Sequence, residues 1–210
     1  MAIDELLDEH EQGERVRDWL RRNALGLIGG VALGLALIGG WRYWQSHQQG
    51  QRAAASDSYA EIQRTLAAGD VERAATQAAA LRTGTLAALA ALDLAKAQLE
   101  AGERDAAIAT LRQVSVADAA LRQVVDQRLA RLLTDAGKGQ EAVSLLDGAT
   151  DPVALEARGD AFAALGEAVA ARGAYADALA RLDLAAPQRR LLEIKLTDAG
   201  GKPPSTEVLN

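Results

Sequence analysis

The chain has 210 residues, a formal net charge of −6, 49% hydrophobic and 3% aromatic residues, and no cysteine. The acidic balance argues against a nucleic-acid partner, which requires a basic face. The lack of cysteine excludes disulfides, thiolate nucleophiles and thiolate metal sites. The length accommodates one folded domain beside a short additional segment.

The first predicted element is an apolar segment near the N-terminus. The 19 residues between Arg22 and Arg42 carry no formal charge. As a helix they would span roughly 28 Å, close to the ~30 Å hydrocarbon core of a bilayer. We therefore predict a tail over residues 1–22 and a single transmembrane helix, including its aromatic edge, over residues 23–44. A cleavable signal peptide would have a short basic start and a shorter apolar core. A buried helix of a soluble protein is disfavoured by the many glycines of this segment.

The flanking residues predict how this helix is oriented. Arginines are more frequent before the segment than after it: Arg15, Arg17, Arg21 and Arg22 precede it, and Arg42 and Arg52 follow it. This excess places the N-terminal tail in the cytoplasm and the larger domain on the other side of the membrane. Trp41, Tyr43 and Trp44 are typical of an aromatic belt at the far membrane interface.

Three glycines share one face of the predicted transmembrane helix. Gly26, Gly30 and Gly34 lie at positions i, i+4 and i+8. Such small residues let a second transmembrane helix approach closely, so we predict a helix contact there. The alternative is that glycine is simply common in membrane helices.

The N-terminal tail carries apolar residues at helical spacing. These residues are Ile3, Leu6, Leu7, Val16, Trp19 and Leu20. One interpretation is an amphipathic helix lying at the membrane surface. The other is a docking segment for a cytosolic protein.

Beyond the membrane segment the sequence is rich in alanine and leucine with helical periodicity. Glycine-containing breaks recur at similar intervals, at Gly69, Gly102, Gly137 and Gly166. A period of about 34 residues is typical of helix–turn–helix repeats of the tetratricopeptide kind. The predicted fold class is therefore all-α, with one N-terminal transmembrane helix followed by a tetratricopeptide-like solenoid. The alternative is an unrelated helical bundle with glycine-capped helices.

The predicted repeats, with a capping helix at their C-terminal end, occupy residues 58–198. Residues 45–57 are either a linker or the start of the first repeat helix, and residues 199–210 are predicted to be a flexible tail. The clearest repeat surrounds Gly166, with small and large residues alternating across a helix pair. Its packing residues are Gly159 and Phe162 on the first helix and Ala171, Tyr175 and Ala178 on the second.

Solenoids of this kind present a concave surface that binds polypeptides more often than it catalyses reactions. By repeat position, the side chains predicted to face this groove are Leu92, Lys96, Gln127, Arg131, Glu156 and Asp160. Catalytic residues are not evident, because His10 and His47 are the only histidines and lie on opposite sides of the predicted membrane segment. We therefore predict no enzymatic activity, no metal and no cofactor.

The chain resembles the YfgM family of Gram-negative bacteria, most specifically in its N-terminal third. The residues that carry the resemblance are Asp4 to Leu7, Glu14 to Leu20 and Trp41 to Gln49, followed by the alanine- and leucine-rich repeats. The resemblance implies an ancillary subunit of the SecYEG translocon in the inner membrane. It also implies a periplasmic repeat domain, association with the membrane-anchored chaperone PpiD, and handover of exported proteins to periplasmic chaperones. The family is further linked to a cytoplasmic stress-response regulator.

Three functions follow from these observations. The first is a non-enzymatic translocon subunit that contacts SecYEG, PpiD and the lipid bilayer. The second is a membrane-tethered regulator that holds a cytosolic stress-response regulator through its tail. The third is a cell-envelope scaffold unrelated to secretion.

Overall fold

The computed structural model describes residues 2–81 and 84–203, without the side chains of residues 2–12 and Leu27. The residues in these ranges form nine α-helices, which confirms the all-helical prediction for this part of the chain. They are α1 Ala2–Ala67, α2 Val71–Ala80, α3 Thr85–Glu100, α4 Arg104–Gln113, α5 Ala119–Asp135, α6 Gly139–Leu145, α7 Pro152–Ala164, α8 Ala168–Arg181 and α9 Arg189–Asp198. Contacts divide the chain into two compact units, Met1–Ala54 and Ala55–Asn210.

The N-terminal unit is formed by the part of α1 up to Ala54, which includes the segment predicted to cross a membrane. Large apolar side chains are exposed along this segment, including Leu25 at 90%, Ile28 at 69% and Val31 at 62%. Residues 45–57, predicted as a linker or as the start of the first repeat helix, belong to α1 as well.

Helix α1 is bent. Its segments Gly13–Gly26 and Ile28–Ala67 are inclined by 47° to each other. Sharp bends in helices concentrate at glycines, and Gly26 and the Gly29–Gly30 pair flank this one. Among the described residues, neither segment alone has the length and apolar composition to cross a membrane, whereas the two together meet both criteria. The bend therefore lies inside the predicted span 23–44.

The repeat unit is organised by glycine turns that follow every second helix. The turn glycines have positive φ values, such as 75° at Gly137 and 82° at Gly102. These values lie in the left-handed region that L side chains rarely adopt. The residue after the glycine donates its N–H to the carbonyl five positions earlier: Asp70 to Thr65, Glu103 to Gln98, Lys138 to Leu133, Glu167 to Phe162 and Gly201 to Leu196, at 2.7–3.1 Å. This is the Schellman arrangement that ends an α-helix.

The fifth of these turns was not predicted. Gly200 follows α9 and continues the spacing of the earlier turn glycines, so α9 ends as the earlier repeat helices do. The tail predicted to begin at residue 199 therefore opens with an ordered turn. We call the helices that precede the turn glycines A helices: the end of α1, α3, α5, α7 and α9. The helices that follow them, α2, α4, α6 and α8, are B helices.

Each B helix carries, near its start, an alanine that packs against its A helix. Ala74, Ala107, Ala142 and Ala171 occupy the same position relative to their turn glycines and are fully buried. Because alanine has a short side chain, the paired helices can approach closely. Helix α3 also packs on α5, and α5 on α7, so successive A helices lie side by side. This stacking is the solenoid that the period predicted.

Side-chain caps fix where three of the helices begin. The carboxylates of Asp70, Asp118 and Asp151 each accept a hydrogen bond from the backbone N–H three positions later, at 2.8–3.1 Å. Such caps give a hydrogen-bond partner to backbone N–H groups of the first turn that have none within the helix. Each typically contributes about 1 kcal/mol to the free energy of unfolding. Proline at the first position of α7 fits the same boundary, because it lacks the N–H that would go unpaired there.

One buried polar residue departs from the repeat pattern. Gln98 takes the position that Leu133 and Phe162 occupy in later repeats, and it is 6% exposed. Its Oε1 accepts a hydrogen bond of 2.8 Å from Thr110 Oγ1 on α4. The amide therefore links α3 to α4, which offsets the cost of burying its oxygen.

Substitution of Gly159 tests the packing of α7 on α8. A Cβ at this position would lie 2.6 Å from Cδ1 of the Tyr175 ring, whereas a Cβ at Gly173 on α8 would meet nothing within 4 Å. We expect Gly159→Ala to destabilise the protein by about 1–3 kcal/mol, because the ring must shift in a packed core. The matched Gly173→Ala should stabilise it by about 0.5–1 kcal/mol. Urea unfolding of both variants measures this, and equal effects would contradict the packing described.

Candidate functional site

The surface shared by α3 and α5 contains a cavity of about 640 Å³, which we call the α3–α5 groove. Three of the predicted groove residues, Leu92, Lys96 and Arg131, line it. Lys96 and Arg131 occupy equivalent positions, each six before its turn glycine, so the repeat register brings them to the same surface. Leu99 and Val124 add apolar side chains to the lining, 42% and 40% exposed.

The charged lining of the groove is mixed. Lys96, Arg128 and Arg131 supply the cations, and Asp93 and Asp135 supply the anions. Asp93 already accepts a hydrogen bond of 2.8 Å from the Tyr59 hydroxyl on α1. Burial of Tyr59, together with this hydrogen bond and the charge of Asp93, raises the pKa of the phenol.

The other three predicted groove residues are engaged elsewhere. Gln127 Nε2 donates to the carboxylate of Asp151 at 2.7 Å, beside the start of α7. Glu156 and Asp160 on α7 both accept hydrogen bonds from Lys195 on α9, at 2.6 and 2.8 Å. The surface of α7 is therefore covered at this point by a cation from the next A helix.

Lys195, which binds two of the predicted groove residues, is the residue that the sequence reasoning missed. Burial alone would lower its pKa, but hydrogen bonds from its ammonium to Asp160 and Glu156 and their negative charges raise the pKa overall. The Tyr175 hydroxyl also donates to Asp160, at 2.9 Å. Burial of Tyr175 and this carboxylate raise the pKa of the phenol well above its usual value. The interval from Gly166 to Gly200, which matches the repeat period, was the signal that could have placed α9 beside α7 as an A helix.

The residues predicted to pack the clearest repeat meet at the α7–α8 interface. The Tyr175 ring lies where a side chain at Gly159 would be, and Ala171 and Ala178 are fully buried. Phe162 packs partly buried against this cluster, and the Arg158 guanidinium lies 5.4 Å from the centre of its ring. The turn at Gly166 connects the two helices with a φ of 78°.

In the N-terminal unit, Gly26 and Gly30 of the predicted helix contact are exposed, and Gly34 is partly exposed. A Cβ at Gly26, Gly30 or Gly34 would meet nothing within 4 Å. The rings of Trp41 and Trp44 lie 5.4 Å apart and are exposed, as is Tyr43. In the tail, Val16, Trp19 and Leu20 are exposed, whereas the side chains of Ile3, Leu6 and Leu7 lie outside the described residues.

A larger cavity of about 870 Å³ lies between α4, α5 and α6. Its lining includes Asp126, whose pKa is raised by burial and lowered to a lesser extent by the charge of Arg122. The Arg122 guanidinium donates to the Val116 carbonyl, which holds the loop between α4 and α5. Within the described residues there is no cluster of three or more histidine, aspartate or glutamate side chains able to hold a metal ion.

The stability of the repeat unit changes with pH in the alkaline range, because Tyr175 and Lys195 hold their protons more strongly in the folded state. Both pKa values are raised in the folded state above their ordinary values of 10.0 and 10.5. The resulting stabilisation is present below pH 10 and is lost as the pH rises through the folded-state values. In the pH range where such a group is protonated in the folded state but not in the unfolded state, each unit of pH increase lowers the free energy of unfolding by up to about 1.4 kcal/mol per group.

The measurement is urea unfolding from pH 7 to 11 of the full chain in detergent. It compares the unsubstituted protein with the double variant Tyr175→Phe, Lys195→Met. We expect the difference in unfolding free energy between the two to change above pH 10, with the unsubstituted protein losing stability more steeply. Parallel pH profiles would contradict the assigned proton positions.

Comparison with known proteins agrees with this architecture. A family model described as a tetratricopeptide repeat-like domain matches residues 17–201. Nearly identical TPR-like repeats from Podosopora anserina, known from a crystal structure, are similar with a TM-score of 0.50 and 22% identity. That match covers 69% of this chain and 84% of the other, and it shows the fold alone.

Two relatives match along most of their length. The chain is 30% identical over 199 residues to the ancillary SecYEG translocon subunit of Escherichia coli strain K12, covering 91% of this chain and 96% of that protein. It is 29% identical over 182 residues to the ancillary SecYEG translocon subunit of Haemophilus influenzae, covering 82% and 89%. This chain therefore belongs to the tetratricopeptide repeat-like proteins and, within them, to the YfgM family.

Proposed function

We propose that this protein is a non-enzymatic ancillary subunit of the SecYEG translocon. Residues 23–44 hold it in the inner membrane with the N-terminus in the cytoplasm and the repeat unit in the periplasm. There the repeats contact PpiD and other periplasmic chaperones and assist the handover of exported proteins. The observation that carries the proposal is the 30% identity to a protein of that name over almost the whole of both chains.

The exposure of the N-terminal unit supports the membrane assignment. Leucine, isoleucine and valine side chains project outward around α1 between Leu25 and Ile38. Exposed apolar area costs about 25 cal/mol per Å² in water, so a surface this extensive is stable only against lipid or another protein. The exposed tryptophans at positions 41 and 44 fit the interfacial region that follows.

The repeat unit supports a role in binding rather than catalysis. Its A helices lie side by side and form an extended surface, as in solenoids that bind polypeptides. Lys195 and Tyr175, whose pKa values are raised, form hydrogen bonds with carboxylates of α7. These hydrogen bonds stabilise the packing of α9 and α8 on α7.

Purification of the full-length protein from its native membrane in mild detergent tests the proposal. We expect SecYEG subunits and PpiD to co-purify and to be identified by mass spectrometry. A version in which residues 23–44 are replaced by an unrelated transmembrane helix is the control for the contribution of the anchor. Absence of SecYEG from the sample with the native anchor would overturn the proposal.

Single glycine substitutions locate the contact on the anchor. Gly30→Leu adds bulk to the face shared with Gly26 and Gly34, whereas Gly39→Leu adds the same bulk on the opposite face, further along the helix. We expect Gly30→Leu to lower recovery of SecYEG about fivefold or more, as loss of a close helix contact would. Gly39→Leu should leave recovery unchanged, and equal recovery from both variants would contradict a contact on the Gly30 face.

One observation favours a second function, a regulatory role of the cytoplasmic tail. Val16, Trp19 and Leu20 are all exposed and share one face of α1. Such a stripe suits a cytosolic protein held at the membrane as well as the membrane surface itself. Deletion of residues 2–19 is expected to change the stress response while SecYEG still co-purifies. An unaltered stress response would exclude the regulatory role.

A further inference from the structure

We propose that α9 packs antiparallel on the α9 helix of a second copy of this chain, across a two-fold axis at Ile194. The partner is therefore the protein itself, and the contact surface is the exposed face of the last described repeat helix. Two observations carry the inference: apolar side chains exposed on α9, and two opposite charges beside them that match each other in this arrangement. The inference goes beyond the proposed translocon role, which requires no self-association.

The apolar part of the surface departs from the pattern of the earlier A helices. Leu191 and Ile194 lie nine and six positions before their turn glycine and are 53% and 50% exposed. The equivalent positions of α3 and α5 hold charged residues, namely Asp93, Lys96, Arg128 and Arg131. Within the described residues no helix follows α9, so its two apolar side chains remain in contact with water. Packing against a partner would remove this apolar surface from water.

The charged side chains of α9 divide into those paired within the chain and those without a partner. Arg189 forms an ion pair with Glu193 at 3.2 Å, and Lys195 lies between two carboxylates of α7. The other two, Arg190 and Asp198, are exposed and form no ion pair with any residue that the structure describes. One positive and one negative charge are therefore available to a partner on this helix.

The spacing of these charges fits a second copy of the same helix. Arg190 and Asp198 lie four residues on either side of Ile194, so the three side chains form a row along one face of α9. When two such helices run antiparallel with Ile194 opposite its own copy, Arg190 of each helix faces Asp198 of the other. A two-fold contact of this kind forms both ion pairs at once. A parallel pair would place like charges opposite each other, so charge complementarity favours the antiparallel arrangement.

Disulfide cross-linking tests the position of the contact on the full chain in detergent. Because the chain has no cysteine, a single introduced cysteine reports on its own surroundings. The variant Ile194→Cys is compared with Val169→Cys on α8, where the native side chain is 74% exposed. After mild oxidation, electrophoresis without reductant measures the dimer fraction. We expect at least about fivefold more linked dimer from Ile194→Cys, because the two-fold axis brings the two sulfur atoms within bonding reach.

Charge exchange tests the pairing between copies. The variants Arg190→Asp and Asp198→Arg each place like charges opposite each other at both ends of the contact, so we expect each alone to weaken self-association about tenfold. A mixture of the two variants should restore it, because the mixed dimer has opposite charges at both ends. Arg181→Asp at the end of α8 is the control and should leave self-association unchanged. Sedimentation equilibrium in density-matched detergent measures the association, and circular dichroism checks that each variant folds.

Three results would overturn the inference: a full chain that stays monomeric at every concentration, equal cross-linking from positions 194 and 169, or a mixture of the charge variants that associates no better than either alone. A monomer would mean that the exposed face of α9 serves another partner or is covered by the chain itself. The purified protein is the only component, so these results are independent of whether SecYEG co-purifies from membranes. Loss of SecYEG with normal self-association would count against the translocon role alone.

Discussion

The left-handed glycine turn that ends each A helix is the constraint on which the rest of the repeat unit depends. Five such turns share the same backbone hydrogen bond and a positive φ at the glycine. Each of the first four reverses the chain so that a fully buried alanine, such as Ala107 or Ala171, brings the B helix against its A helix. Because the turns recur at similar intervals, successive A helices fall side by side and a continuous surface results.

The fifth turn determines how that surface ends. Helix α9 has the register of an A helix, and its Lys195 therefore reaches both Glu156 and Asp160 on α7. One positive charge therefore lies between two of the carboxylates of α7. The α3–α5 groove lies further towards the N-terminus, and the Arg128 side chain in its lining has no ion-pair partner among the described residues.

The features that the sequence predicted are those set by local chemistry and by the period of the repeats. Glycine spacing predicted the helix pairs, and repeat position predicted that Leu92, Lys96 and Arg131 share a surface. The engagement of Gln127, Glu156 and Asp160 was not predicted, because it depends on which side chains the neighbouring helices present.

The spacing of the glycines did not predict two further features, the turn at Gly200 and the bend of α1. Gly200 falls within the predicted tail, because the helix pairs of the repeat pattern stop before it. The structure shows instead that it closes α9 with the same turn as the earlier A helices. The 47° bend of α1 lies beside Gly26 and the Gly29–Gly30 pair, but the positions of glycines in a sequence do not specify the angle of a bend.

Site-specific photo-crosslinking in native membranes tests the central claim most directly, namely that the repeat surface works at the translocon. A photoreactive phenylalanine at position 124 would report contacts of the α3–α5 groove, and the same residue at position 169 would report contacts of α8. The account predicts crosslinks from position 124 to SecYEG, PpiD or a secretory protein during export, and none of these from position 169. Crosslinks to those proteins from position 169 alone, or from neither position, would contradict it.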